Sequence, residues 1–106
     1  MRDLEVHSDA SIEAQETAAW YEEKREGLGF DFLWEVATAF LVVRENIMHG
    51  APWPDPLLAA RGVKRISLKK FPYQVVFIES PSKAIVLAIA HVRRRPGYWQ
   101  SRLTTS

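Results

Sequence analysis

The chain has no cysteine. That excludes disulfides, thiolate metal sites and a cysteine nucleophile, and it fits a reducing compartment. Long apolar runs are missing as well, since none approaches the ~20 residues that a membrane-spanning helix needs. The opening charges, Met1-Arg2-Asp3-Leu4-Glu5, lead into no apolar stretch. A signal peptide is therefore not expected; the expected setting is cytoplasmic, with no membrane partner. There is no glycine-rich phosphate loop and no His/Asp/Glu cluster at metal-binding spacing, so no metal and no other cofactor is expected.

What is present suits one packed domain over residues 1–106. Apolar residues make up 47% of the chain and four are Trp, enough to build a core rather than a disordered tract. The near-zero net charge hides an asymmetry. Residues 1–60 hold twelve acids against four basic residues, a net of −8, whereas residues 61–106 hold ten basic residues against Glu79 alone, a net of +9. Either the basic half meets an anionic partner, or the two halves neutralise each other across the fold.

Leu4 to His7 suits a short strand. Ser8 or Asp9 is the expected N-cap of a helix over Ile12–Arg25, a stretch free of Gly and Pro and rich in Ala and Glu. Ile12, Ala19 and Trp20 share one face, with Glu13, Glu16 and Glu23 outside it. Gly27-Leu28-Gly29 ends that helix. A second runs from about Phe30 to Met48, with Phe30, Leu33, Ala37, Phe40, Leu41, Arg44 and Ile47 at three- and four-residue steps; Phe32, Val36 and Val43 widen its apolar surface. Trp20 and Trp34 are expected to pack between helices. The short turn makes the helices an antiparallel hairpin. His49 to Pro56, with three prolines, is a long loop. Val63–Leu68, Tyr73–Glu79 and Ala84–His91 are strands joined by spacers short enough for antiparallel hairpins. Parity in the last strand places His91 with Ile89 and Leu87. The order is β-α-α-β-β-β. The expected fold is α+β, an N-terminal helix hairpin packed on a small, mainly antiparallel β-sheet.

Four words in that order resemble the RelE/ParE superfamily of toxins from type II toxin–antitoxin systems. They are Ala19-Trp20-Tyr21-Glu22, Gly27-Leu28-Gly29-Phe30-Asp31-Phe32-Leu33, Arg65 followed by Phe71-Pro72-Tyr73-Gln74-Val75-Val76-Phe77, and Ala88-Ile89-Ala90-His91-Val92-Arg93-Arg94-Arg95-Pro96-Gly97-Tyr98-Trp99. The resemblance covers nearly the whole chain. It implies a bacterial growth inhibitor held inactive by a cognate antitoxin protein, with a toxin–antitoxin hetero-oligomer as the stored form. RelE-like members cleave mRNA in the ribosomal A site; ParE-like members inhibit DNA gyrase.

Metal-free RNA cleavage needs help in removing the 2′-OH proton and charge stabilisation at the phosphate. Carried over position by position, the resemblance offers Arg65, Arg93 (or Arg94, if the alignment slips by one) and Tyr98 as catalytic groups, and the imidazole of His91 is a further acid–base candidate by its own chemistry. It finds Ser67 where a second base is expected and Gln74 where an arginine is expected. Glutamine supplies no full charge to a developing phosphorane, and losing such a contact costs on the order of 3 kcal/mol, roughly a hundredfold in rate. The departures bring the chain closer to ParE-like members, which bind rather than cleave. Lys69, Lys70, Arg94, Arg95, Trp99 and Trp53 are the candidate contacts for target or antitoxin. A metal-independent endoribonuclease and a non-toxic interaction module are the alternatives.

Overall fold

A computed structural model describes residues 2–46 and 50–104 of the chain. Its elements are β1 (Asp3–Val6), α1 (Ser8–Lys24), α2 (Leu28–Glu45), β2 (Ala51–Pro52), α3 (Pro56–Ala60), β3 (Val63–Ser67), β4 (Tyr73–Ser80), β5 (Lys83–His91) and a closing 3₁₀ helix (Gln100–Thr104). The five strands form one sheet in the order β1-β5-β4-β3-β2. β1 runs parallel to β5; the other pairings are antiparallel. The α+β helix hairpin on a mainly antiparallel sheet is thus the observed architecture. The proline-rich loop adds two small elements, a two-residue edge strand and a short helix. Both obey proline chemistry: Pro52 sits on the sheet edge, where its missing N–H matters least, and Pro56 opens α3 behind the cap Asp55. Ile47, Met48 and His49, the end expected for the second helix and the start of the loop, lie outside the described residues.

The hairpin's faces differ from the periodicity reading. α1 buries Ala10, Ala14 and Ala18, while Ile12 and Trp20 are half exposed and Ala19 is exposed. α2 buries Gly29, Phe32, Val36, Ala39 and Val43. Its expected stripe lies mostly outside, with Phe30 68% and Leu41 51% exposed; Trp34 is 66% exposed as well. Trp20 and Trp34 therefore do not pack between the helices. Small residues allow close approach, and the crossing shows why they won: a Cβ on Gly29 would sit 2.5 Å from the Ala18 carbonyl oxygen. The α1 cap is also corrected. His7, not Ser8 or Asp9, is the N-cap, and its Nδ1 accepts from the Asp9 N–H at 3.1 Å. At the other end Glu22 reaches over the turn and accepts from the Gly27 and Gly29 N–H groups at 2.8 and 2.9 Å. Those two bonds hold its carboxyl below the usual carboxylate range.

Two cores flank the sheet. On the helix side Phe32, Val36, Val75, Phe77, Val86 and Ile89 pack with the alanine face of α1. On the other side Trp53, Leu58, Val63, Val76, Leu87 and Trp99 pack beneath the C-terminal tail. β5 lies between them, which explains its unbroken apolar run. A β-bulge interrupts its register: Val76 faces Ala88 but Phe77 faces Val86, leaving Leu87 extra. The bulge reverses parity along β5, so Leu87 lies on the tail side while Ile89 belongs to the helix-side core. His91, whose ring meets Tyr73 edge-on, stays with Ile89 but not with Leu87.

Candidate functional site

Beyond β5 the chain turns at Arg93–Pro96 and folds back over the sheet face opposite the helices. Trp99 is the plug that holds it there. It is 1% exposed and meets Trp53 edge-on, ring centroids 4.9 Å apart. Between this tail and the proline-rich loop lies a cavity of about 310 Å³. Arg65, Gln74 and His91 contribute to its sheet side, Trp53 and Asp55 to its loop side, and Arg94, Arg95, Tyr98 and Trp99 to its tail side. A more open hollow of about 700 Å³ continues past Arg65 and Gln74 toward Ser67 and Gly50. Residues from three distant stretches therefore meet on one basic surface.

The structure brings the candidate catalytic residues only partly together. Arg65 stands on β3 with its guanidinium 5.5 Å from the Trp53 ring centroid. His91 ends β5, and its Nδ1 accepts from the Arg93 N–H at 3.0 Å. That nitrogen is thereby occupied, and a neutral His91 carries its proton on Nε2. Arg93 is not among the cavity-lining residues, because the turn after His91 brings Arg94 and Arg95 inward instead. The Tyr98 hydroxyl donates to Glu13 at 2.7 Å. Burial, then that bond to a carboxylate, pushes its pKa well above the ordinary tyrosine value. A proton so held makes Tyr98 a poor base. Gln74 is 8% exposed and stands in the floor where a cleavage site would need positive charge.

The candidate binding residues divide. Arg95 lines the cavity and is exposed. Arg94 lies with its guanidinium carbon 3.7 Å from the Tyr98 ring centroid and its Nη1 3.6 Å from Glu13 Oε2. Trp53 and Trp99 are buried against each other, so they build the wall rather than project as anchors. Lys69 and Lys70 are elsewhere, in the β3–β4 turn, where Glu35 on α2 accepts from both backbone N–H groups. They border a second hollow of about 440 Å³ between α2 and the end of β3, lined also by Trp34, Thr38, Val42 and Ile66. β2 pairs with Lys64 and Arg65, and Ile66 and Ser67 at the end of β3 line this groove.

Two members of the tail site escaped the sequence reading. Glu13, read as a solvent-facing helix residue, accepts from Tyr98, from Arg102 and from the Ile89 N–H. Arg102 also donates to the Leu87 carbonyl at 2.8 Å, filling an acceptor at the bulge. Periodicity carried no signal for either. The opposed charge of the two halves was the one hint: Glu13 with Arg102 and Arg94, Asp9 with Arg102, and Glu5 with Lys83 are ion pairs between them.

Among solved structures, a chain described as "Chromosomal ParDE TA system from P. aeruginosa" shares this fold. The TM-score is 0.70 at 16% sequence identity, covering 86% of this chain and 96% of that one. No protein-family model matches the chain, and no curated protein does. Among the described residues no helix is long and apolar enough to cross a membrane.

Proposed function

We propose that this chain is the toxin of a type II toxin–antitoxin pair, that it inhibits growth by binding a target, DNA gyrase first among them, and that a cognate antitoxin neutralises it. The fold shared with a chain of a ParDE system supports the toxin reading. The choice of binding over cleavage is carried by the tail site. Its floor has Gln74 in place of a cation, and its tyrosine hydroxyl is already donated to Glu13. Such a surface grips an anionic partner without the proton-transfer groups that transesterification of RNA needs.

The antitoxin has a surface of its own in this reading. α2 is apolar on its outer side as well as its inner, with Phe30, Leu33, Trp34 and Leu41 all at least 42% exposed. A helix apolar all round wants cover on both faces. The groove beside it runs to the end of β3, and the antitoxin is placed there, against the helix hairpin and a sheet edge, with its side chains filling the hollow.

A supercoiling assay with purified chain and DNA gyrase tests the first target. Inhibition is expected, and normal supercoiling at toxin excess removes gyrase. Arg65 and Arg95 around one cavity favour a second reading, ribosome-dependent mRNA cleavage; primer extension on translated mRNA after induction decides it through new 5′ ends. Unimpaired growth with confirmed expression favours a non-toxic interaction module over both.

A further inference from the structure

After His91 the described residues form no further strand. The backbone hydrogen bonds from Arg94, Tyr98, Gln100 and Arg102 close local turns. The Trp99 plug supplies its apolar attachment, and its polar attachment converges on one carboxylate. Glu13 Oε1 accepts from the Ile89 N–H at 3.1 Å and from Arg102 Nη1 at 2.9 Å. Its Oε2 accepts from the Tyr98 hydroxyl at 2.7 Å and from Arg102 Nη2 at 2.9 Å. A carboxylate offers about four lone-pair sites, so Glu13 is filled by the protein itself. Its side chain is 14% exposed.

The charges give this arrangement its sense. Arg94 and Arg102 approach the Tyr98 ring, their guanidinium carbons 3.7 and 5.2 Å from its centroid. Two cations around one ring repel unless an anion stands between them, and Glu13 is that anion, 3.6 Å from Arg94 and 2.9 Å from Arg102. Glu13 therefore engages two of the tail's arginines. Arg65 and Arg95 have no ion pair among the described residues.

We infer that Glu13 is the positioning residue of the tail site: its carboxylate latches the C-terminal segment to α1 and to the β5 bulge, so that the Arg94–Gln100 wall stands over Arg65 and Gln74 and the site binds only while the latch is closed. The functional half rests on the proposed role of the tail site as the target surface; the structural half does not.

Amide exchange measured by NMR on the purified chain tests the latch. Glu13→Gln keeps the size of the side chain and removes its charge. It is expected to speed exchange of the Tyr98–Leu103 amides by about tenfold or more while those of Val75, Val76 and Phe77 keep their protection. Arg102→Gln is expected to affect the same amides, and the double variant no more than the larger single one, because each breaks the same contact. Unchanged tail exchange in Glu13→Gln, or additive effects in the double variant, overturns the latch. Should Glu13→Gln not fold, Tyr98→Phe removes one donor and keeps the ring between its arginines. A smaller rise at the same amides is expected there, and no rise overturns the proposal. Growth after induction reads the functional half: Glu13→Gln is expected to lose the arrest that the parent chain causes. Arrest retained despite faster tail exchange overturns the link to binding. A parent chain that causes no arrest overturns the toxin reading instead, and exchange alone then decides the latch.

Discussion

Replacing Trp99 with Ala measures how much of the molecule depends on the folded-back tail. Trp99 is 1% exposed and sits in the core beneath the tail with Val63, Val76, Leu87 and Trp53. A buried Trp removes on the order of 150–250 Å² from water, which at ~25 cal/mol per Å² corresponds to roughly 4–6 kcal/mol for the whole side chain. Ala keeps part of that, and Trp→Ala changes in cores cost about 3–5 kcal/mol. The tail has a release, however: it can detach as a unit, which limits the loss to the free energy of its docking. The expected fall in unfolding free energy is therefore about 3 kcal/mol, out of the ~5–15 kcal/mol of a domain this size, with a midpoint lowered by on the order of 15 °C. Urea unfolding followed by far-UV circular dichroism reads the first quantity and a thermal scan the second. Trp34→Ala is the control: Trp34 is 66% exposed, and its removal should change stability by no more than about 0.5 kcal/mol. A loss below about 1 kcal/mol for Trp99→Ala, or equal losses for the two, would refute the two-core description of the sheet.

The remaining predictions address charge, packing and the second surface. Burial raises the Glu79 carboxyl, but its bonds to Lys64 and Arg2 outweigh that and hold its pKa below the ordinary value. Its contribution is thus fully present above the unfolded-state pKa and lost as pH falls through the folded-state one. Glu79→Gln should flatten the decline of stability between about pH 5 and 3, and urea midpoints across that range with equal slopes in both chains would argue against the ion pairs. Gly29→Ala should lower stability by about 1–2 kcal/mol despite the better helix propensity of Ala, because its Cβ meets the Ala18 carbonyl oxygen, which the backbone cannot move; a raised thermal midpoint would contradict the close crossing. Under the proposed function, Trp34→Ala combined with Leu41→Glu should weaken binding of a cognate antitoxin at least about tenfold with the fold intact, and unchanged affinity by calorimetry would place that partner elsewhere.

Local chemistry along the chain was enough for the order of the main elements, though not for β2 and α3 within the proline-rich loop. Gly27-Leu28-Gly29 marks a helix turn, Phe71-Pro72 and Ser80-Pro81-Ser82 mark hairpins, and the runs between them are long enough to name as helix or strand, all from neighbours within a few residues. The faces of the helices were not legible in that way. α2 is apolar on two sides, so its periodicity has two solutions, and on α1 the alanines that pack carry less hydrophobic weight than the Ile12 and Trp20 that do not. The tail site was half legible. Arg65, His91, Arg94, Arg95 and Tyr98 stood out as residue types, but the bulge at Leu87, the inward turn of Arg94 and the burial of Trp53 arise from pairing between distant strands. Glu13 lies 85 residues before Tyr98 and 89 before Arg102. No local pattern spans such separations; the carboxylate acquires its partners only when α1 packs on β5 and the tail returns across the sheet, so tertiary packing alone decided which acid the basic half would meet.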